Sequence, residues 1–285
     1  MKKRGGKIPH PLTPSPQGEG EIPHPLTPSP QGEGEGANKL KMADSLYLSV
    51  VVPSYRSAGI LERNLPLLLA YLQKQDYTWE VVVVDDGSDD QGATEAVCHK
   101  LGCIFCANEK NMGKGAAVRN GMKTAQGLFR IFTDADIPYE LDAIGTMLRY
   151  LDFKEFQLVI GDRNLKGSSY LSEISGLRKL TSIFFTRFVG TIVTANFFDT
   201  QCGIKGFRGD VADFIFKHAR INGFAFDVEL LYIALKQNFE IKRIPVRLNN
   251  QEKSTVRVVR HGIGMFFDLF RIKINNVKGY YKEQL

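Results

Sequence analysis

The sequence predicts an α/β fold with a mostly parallel central sheet flanked by helices, and three observations predict it. Strand-like and helix-like segments alternate from residue 47 onward. The strand-like runs, such as "SVVVPSY" and "EVVVVDD", are apolar almost throughout rather than at every second position, as strands covered on both faces require. Two of them end in acid, at Asp85–Asp86 and at Asp134–Asp136, and in parallel sheets ligands gather at the carboxyl ends of strands.

The elements follow in order. "YLSVVVPSY", residues 47–55, reads as a buried strand, and Leu61–Lys74 as a helix with its leucines on one face. "WEVVVVDDGSDD" is a second strand, residues 91–101 are helical, and "CIFCANE" is a short third strand. "GKGAAVRNGMKTAQG" is a helix between glycines, and "LFRIFTDAD" is a fourth strand. The second half is richer in aromatics. Ten of the nineteen phenylalanines fall between Phe184 and Phe226, interleaved with Arg178, Lys179, Arg187 and Lys205. Composition alone leaves open whether they fill a core or form a surface. In the tail, Phe266, Phe267 and Phe270 share one helical face near Arg271 and Lys273, which predicts a surface-associating amphipathic segment.

Three regions are expected: a disordered tail over 1–41, an α/β domain over 42–245, and a basic, aromatic, amphipathic segment over 246–285. Residues 8–21, "IPHPLTPSPQGEGE", recur unchanged at 22–35, and eight of the twelve prolines lie in the first 30 residues. Such a segment buries too little apolar surface to offset its ordering entropy. The perfect tandem copy resembles translated intergenic repeat DNA, so Met42, which runs straight into the first strand, is the expected start. N-terminal sequencing of the native protein checks this, and a fragment containing Pro9 overturns it.

Composition narrows the class. The 285 residues are 43% hydrophobic and 24% charged, an ordinary globular balance. The net charge of +6 is uneven, because residues 242–285 hold ten Lys/Arg against three Asp/Glu. That concentration suggests a polyanionic partner, nucleic acid or an anionic membrane surface. Cys98, Cys103, Cys106 and Cys202 read as a reduced, cytosolic set. "CHKLGCIFC" raises zinc, but its spacing matches no standard ligand pattern, and strand geometry would turn Cys103 and Cys106 to opposite sides. No run reaches the ~18 uninterrupted apolar residues of a spanning helix, and the N-terminus lacks a signal core. The chain is expected neither to be secreted nor to cross a bilayer by itself.

Two motifs carry chemistry. In "RIFTDADIPYE" an apolar run meets Asp134 and Asp136, which project to one face if the chain stays extended. Paired carboxylates suit Mg²⁺ or Mn²⁺, which takes one or two protein carboxylates and completes its shell with diphosphate and water. The plain alternative is that Asp136 caps a helix following Pro138. "NMGKGAAVRNGM" supplies a helix start beside Lys114, attractive to phosphate though not a Walker motif; the plain alternative is a glycine-bounded surface helix.

Together "VVPSY", "VVVVDDGSDD", "NMGKGAAVRNGM", "TDADIPYE", "GDRN", "DTQCGIKGFR" and "FAFDVELLYIA" resemble the family 2 inverting glycosyltransferases of the GT-A, nucleotide-diphospho-sugar transferase fold. The likeness covers roughly residues 48–260 and is strongest to the branch that charges polyprenyl or dolichyl phosphates with a hexose. It implies a cytoplasmic enzyme, peripheral at the membrane face, that takes a nucleotide sugar (UDP-glucose favoured, GDP-mannose the alternative) and a polyprenyl phosphate, with no nucleic-acid partner. It further implies that Pro53, Tyr55 and Asp85 or Asp86 hold base and ribose, and that Asp134 and Asp136 hold the metal on the diphosphate. Lys114 lies by the phosphates, and Arg163 and Arg178 match arginines that meet the acceptor phosphate. Asp199 and Gln201 approach acceptor or sugar, while Gly203 and Gly206 otherwise only shape a turn. One departure stands out: after "PSY" the family usually carries Asn-Glu, and this chain has Arg56 and Ser57.

The expected reaction is one in-line displacement at the anomeric carbon, with inversion. A phosphate nucleophile carries about −1.5 to −2 charges near neutrality and needs no strong base. A hydroxyl acceptor would need one, with Asp227 or Glu229 the candidates unless that pair is only an acidic first helical turn. The competing readings are a family 2 transferase acting on a hydroxyl, a sugar-1-phosphate nucleotidyltransferase, and a non-catalytic nucleotide-sugar binder.

Overall fold

The valine runs form the centre of the sheet. In a computed structural model that describes residues 45–168, 199–248 and 258–282, with side chains of the last segment from 264, β1 (Leu48–Ser54) and β2 (Trp79–Asp85) pair in parallel along their whole length. β3 (Ile104–Ala107) joins β2, and β4 (Phe129–Thr133) joins the other side of β1, both parallel. β5 (Leu158–Asp162), β6 (Ile204–Arg208) and β7 (Ile241–Pro245) complete the order β3-β2-β1-β4-β6-β5-β7. β6 alone runs against its neighbours. The other six strands therefore end on one edge of the sheet, and that edge holds both acidic clusters.

Side-chain alternation explains why the runs must be apolar throughout. Val51, Val82 and Val84 enter one core layer, while Val50, Val52, Val81 and Val83 enter the other. The second layer is covered by α1 (Ala58–Leu72), α2 (Ala93–Leu101) and α4 (Asp142–Leu151). The first lies under α3 (Lys114–Thr124), α5 (Gly209–His218), α6 (Phe226–Lys236) and α7 (Val258–Val277). Phe207, Phe214, Phe216 and Phe226 are buried there, so these four are core rather than surface. Cys103 and Cys106 do serve opposite layers, and all four cysteines are free.

Three expectations change. β4 stops at Thr133, so Asp134 and Asp136 are not on a strand but on a tight turn closed by the Ile137 N–H donating to the Asp134 carbonyl at 2.9 Å. The helix expected after Pro138 starts only at Asp142, behind Leu141 and with no side-chain cap, so Asp136 is not its cap. Gly206 sits inside β6 rather than in a turn. The 1–41 tail, Arg178, Lys179, Arg187 and the phenylalanines at 184–198 lie outside the described residues.

No helix among the described residues is long and apolar enough to cross a membrane. α7 is two-faced: Leu269 and Ile272 are buried against the core with Tyr281, while Phe266, Phe267, Phe270, Ile274 and Val277 are exposed.

Candidate active site

The turn after β4 is held from three sides. Ile137, β-branched and buried, is kept at φ 42°, a region such residues rarely enter, and strain of that kind persists only where packing over-determines it. Gly203, immediately before β6, backs the Asp134 carboxylate: an added Cβ would sit 2.8 Å from Asp134 Cγ and closer still to Oδ2. The Gly203 N–H donates to the hydroxyl of buried Tyr139 at 3.3 Å. The role of this glycine is close approach, not turn formation.

Asp134 Oδ1 lies 2.5 Å from Lys114 Nζ, yet it is buried and accepts no hydrogen bond of proper geometry. Ser54 Oγ, at the end of neighbouring β1, is likewise buried and unpaired. An unpaired buried hydroxyl and a carboxylate oxygen held against an ammonium, at the ends of adjacent strands, make a polar place that suits a ligand. Burial alone would lower the Lys114 ammonium, but Asp134, Asp227 and Asp136 outweigh it and hold the group above its ordinary range. Among the described residues, no group of three or more His, Cys, Asp or Glu converges as a ready cation site. The residues present nonetheless fit Mg²⁺ or Mn²⁺: two carboxylates offer hard oxygen donors, one of them already held against a cationic group, with the rest of the shell left to a ligand's diphosphate and water.

Behind Lys114 lies a second pair that inspection of the sequence missed. Lys205, fully buried in β6, is 2.5 Å from Asp227 Oδ1 and 2.8 Å from the Cys202 carbonyl. Its ammonium lies 5.4 Å from the Phe132 ring centroid, within cation–π range. The signal was available, since a lysine inside the strand "GIKGFR" demands a buried partner. Burial raises the Asp227 carboxyl, while Lys205 and Lys114 pull against that rise. Asp227 is thus enclosed in an ion pair with only 5% of its side chain exposed, a poor position for a general base. Glu229 is fully buried and accepts three hydrogen bonds, from the Arg220 and Ile221 N–H groups and the Tyr281 hydroxyl. Neither carboxylate is a mere exposed first turn.

The two aspartates after β2 have different duties. Asp86 accepts from Asn108 Nδ2 and from the N–H groups of Met112 and Gly113, at 2.7–3.0 Å, and so pins the loop leading to Lys114. Asp85 accepts from the Ser88 N–H and hydroxyl and lines an open cleft with Gly87, Asn108 and Glu109. Pro53 faces Val84 of β2 in the register, beyond the last β4 pairing, where its missing N–H is tolerated. Tyr55 is exposed, with the Arg56 guanidinium 5.3 Å from its ring centroid.

Across the site, Arg163 follows β5 and grips Asp199 with Nε and Nη2, at 2.9 and 2.7 Å, while its own N–H donates to the same carboxylate. Burial raises the Asp199 carboxyl, but these bonds outweigh it and leave the group below the usual carboxylate range. Gln201 Nε2 lies 3.9 Å from Met265 Sδ of α7, so the two-faced helix approaches this side of the site. The structure thus gathers Asp134, Asp136, Lys114 and Asp227 into one cluster, and Arg163 with Asp199 into another at the same sheet edge.

Residues 49–216 match Glycosyl transferase family 2. A dolichyl-phosphate beta-glucosyltransferase of Homo sapiens is 31% identical over 254 residues, covering 82% of this chain and 77% of that protein. A dolichyl-phosphate beta-glucosyltransferase of Dictyostelium discoideum is 29% identical over 253 residues, covering 84% and 77%. Among solved structures, glucosyl-3-phosphoglycerate synthase of Mycobacterium tuberculosis, in complex with Mn²⁺, UDP-glucose and phosphoglyceric acid, superposes with a TM-score of 0.60. It is 15% identical, covering 86% of this chain and 85% of that one.

Proposed function

The chain belongs to Glycosyl transferase family 2, and from that premise we propose that it transfers glucose from UDP-glucose to a polyprenyl phosphate at a membrane surface. The substrate class is carried by one observation: relatives named for dolichyl-phosphate glucosylation match more than four-fifths of this chain.

The chemistry follows from the cluster. An oxygen of the lipid phosphate attacks the anomeric carbon, the bond to the diphosphate breaks, and its electron pair leaves with UDP, inverting the centre. A divalent ion, Mg²⁺ or Mn²⁺, would be held by Asp134 and Asp136 and would supply Lewis-acid neutralisation of the departing diphosphate. Lys114, now against Asp134, exchanges that carboxylate for a diphosphate oxygen when donor and ion arrive. Arg163, clamped by Asp199, keeps a fixed guanidinium for the acceptor phosphate, since two anionic substrates must be brought together. A hydroxyl acceptor would require an accessible base, and the enclosure of Asp227 and Glu229 argues against one. Incubation with UDP-glucose, GDP-mannose and a short polyprenyl phosphate, with Mn²⁺ or with EDTA, tests the reading by mass detection of the lipid. Hexosylated lipid from UDP-glucose, lost in EDTA, is expected; a hexosylated hydroxyl acceptor in its place, or nucleotide binding without turnover, overturns the reading.

The exposed face of α7 supports a surface location. Phe266, Phe267, Phe270, Ile274 and Val277 fall within an arc of about 100° at 3.6 residues per turn. Lys273 flanks the arc on one side, Arg271 and Lys278 on the other, the pattern of a helix lying in an anionic interface. Replacing Phe266, Phe267 and Phe270 together by serine is expected to weaken flotation with phosphatidylserine-containing vesicles by roughly 10²-fold. Turnover of a short, water-soluble acceptor should stay near the parent value, and unchanged flotation removes α7 from the interface.

A further inference from the structure

We propose that Glu229 is a positioning residue for the donor site: its buried carboxylate holds the 219–223 loop against the start of α3 and thereby fixes Lys114. The inference deepens the transferase reading and rests on it for the identity of the donor.

The argument begins with the glycines on either side of Lys114. A Cβ on Gly113 would lie 2.6 Å from the Asn222 carbonyl oxygen, and one on Gly115 would lie 2.6 Å from the Ile221 oxygen and 3.0 Å from that of Asn222. Both positions are glycine because the backbone of the 221–223 segment rests on them. The contact is bonded as well as close. The Asn222 carbonyl accepts from the Gly115 N–H at 2.7 Å and the Ala116 N–H at 3.3 Å. With Met112 and Gly113 N–H already donated to Asp86, the helix start has little left to offer a phosphate. The expected phosphate cradle is therefore closed by protein, and the Lys114 side chain is what this motif presents to a donor.

What holds the 219–223 loop in place is Glu229. One carboxylate oxygen accepts from the Arg220 and Ile221 N–H groups at 2.9 and 2.7 Å; the other accepts from the Tyr281 hydroxyl at 2.5 Å. Arg119 of α3 completes the clamp, donating to the Asn222 side-chain oxygen at 2.5 Å and to the Ala219 carbonyl at 3.4 Å. Fully buried groups with this many bonds set geometry firmly, because displacing any of them leaves a buried donor unpaired. The route from Glu229 to Lys114 is short: carboxylate, Ile221, the Asn222 carbonyl, and the first turn of α3. Tyr281, just beyond α7, supplies the third bond, so the segment that follows α7 and the loop that backs Lys114 meet at one carboxylate.

The test uses UDP with Mn²⁺ as probe, followed by calorimetry on the full chain, together with steady-state kinetics. Glu229→Ala is expected to weaken UDP–Mn²⁺ binding about tenfold and to raise KM for UDP-glucose more than it lowers kcat. Glu229→Gln, whose amide oxygen still accepts the two N–H groups while its NH₂ faces a hydroxyl able to accept, should recover most of the affinity. A variant with lowered Tm but parental affinity overturns the proposal, since a merely structural carboxylate would behave so. If Glu229→Ala does not fold, Tyr281→Phe and Arg119→Gln take its place; each must weaken binding several-fold, and parental affinity in either overturns the proposal. Failure of the parent protein to bind UDP with Mn²⁺ would instead refute the donor assignment, a separate outcome.

Discussion

Asp227→Ala is expected to lose about 3–5 kcal/mol of stability, because it strands the Lys205 ammonium in a site with no exposure and, among the described residues, no other carboxylate at hydrogen-bonding distance. The remaining partner, the Cys202 carbonyl, carries no charge to oppose it. The reverse single change, Lys205→Met, should cost less, since Lys114 also stabilises the ionised Asp227. Replacing the pair together, Lys205→Met with Asp227→Leu, removes both desolvation penalties and should return most of the lost stability; urea titration of the four proteins reads this directly. The same set settles the chemistry. Removing a general base costs about 10²–10⁴-fold in rate. A folded double variant that stays within about tenfold of the parent on polyprenyl phosphate excludes Asp227 as a base and agrees with a phosphate nucleophile; a folded but inactive one returns the residue to catalysis. A simple comparison of alanine variants at Arg163 and Asp227 would not separate the cases, because each also unpairs a buried charge on its partner.

Valine runs and the acids that end them were enough to read the sheet's centre and the edge that holds both acidic clusters. Both properties are local, and burial on two faces leaves a plain mark in composition. The reversed β6 was not legible, because pairing direction is set by partners distant in sequence. The acidic pair was expected at the end of an extended strand, and it lies instead on a turn that closes at Ile137, so strand alternation does not set its geometry. "NMGKGAAVRNGM" was legible as a helix start beside a useful lysine, but Gly113 and Gly115 rest against the backbone at Asn222, about a hundred residues away. Glu229 illustrates the same limit. In sequence it is one acid in a helical first turn, and only packing shows three donors converging on it.

Gly203→Ala is expected to lower turnover roughly 10²-fold, the cost of displacing a reacting constellation by about an ångström. The added methyl group must share space with the Asp134 carboxylate, and the two sides are unequally free to move. β6 is bonded to β4 on one side and β5 on the other, directly after Gly203, whereas Asp134 sits past the end of its strand. The carboxylate therefore yields. Since Asp134 is the oxygen donor assigned to the cation, its displacement should appear as a higher Mn²⁺ concentration at half-maximal activity and as weaker UDP uptake in the presence of Mn²⁺. Gly206→Ala is the matched control, three residues on and inside β6. Its Cβ would first meet the Ile131, Leu151 and Met147 side chains, at 3.2–3.4 Å, rather than a carboxylate. That change should cost about 1–3 kcal/mol of stability by overpacking and leave the Mn²⁺ requirement where it was. Equal Mn²⁺ midpoints for Gly203→Ala and the parent would mean that Asp134 does not hold the cation, and the assignment of the acidic turn would fall with it.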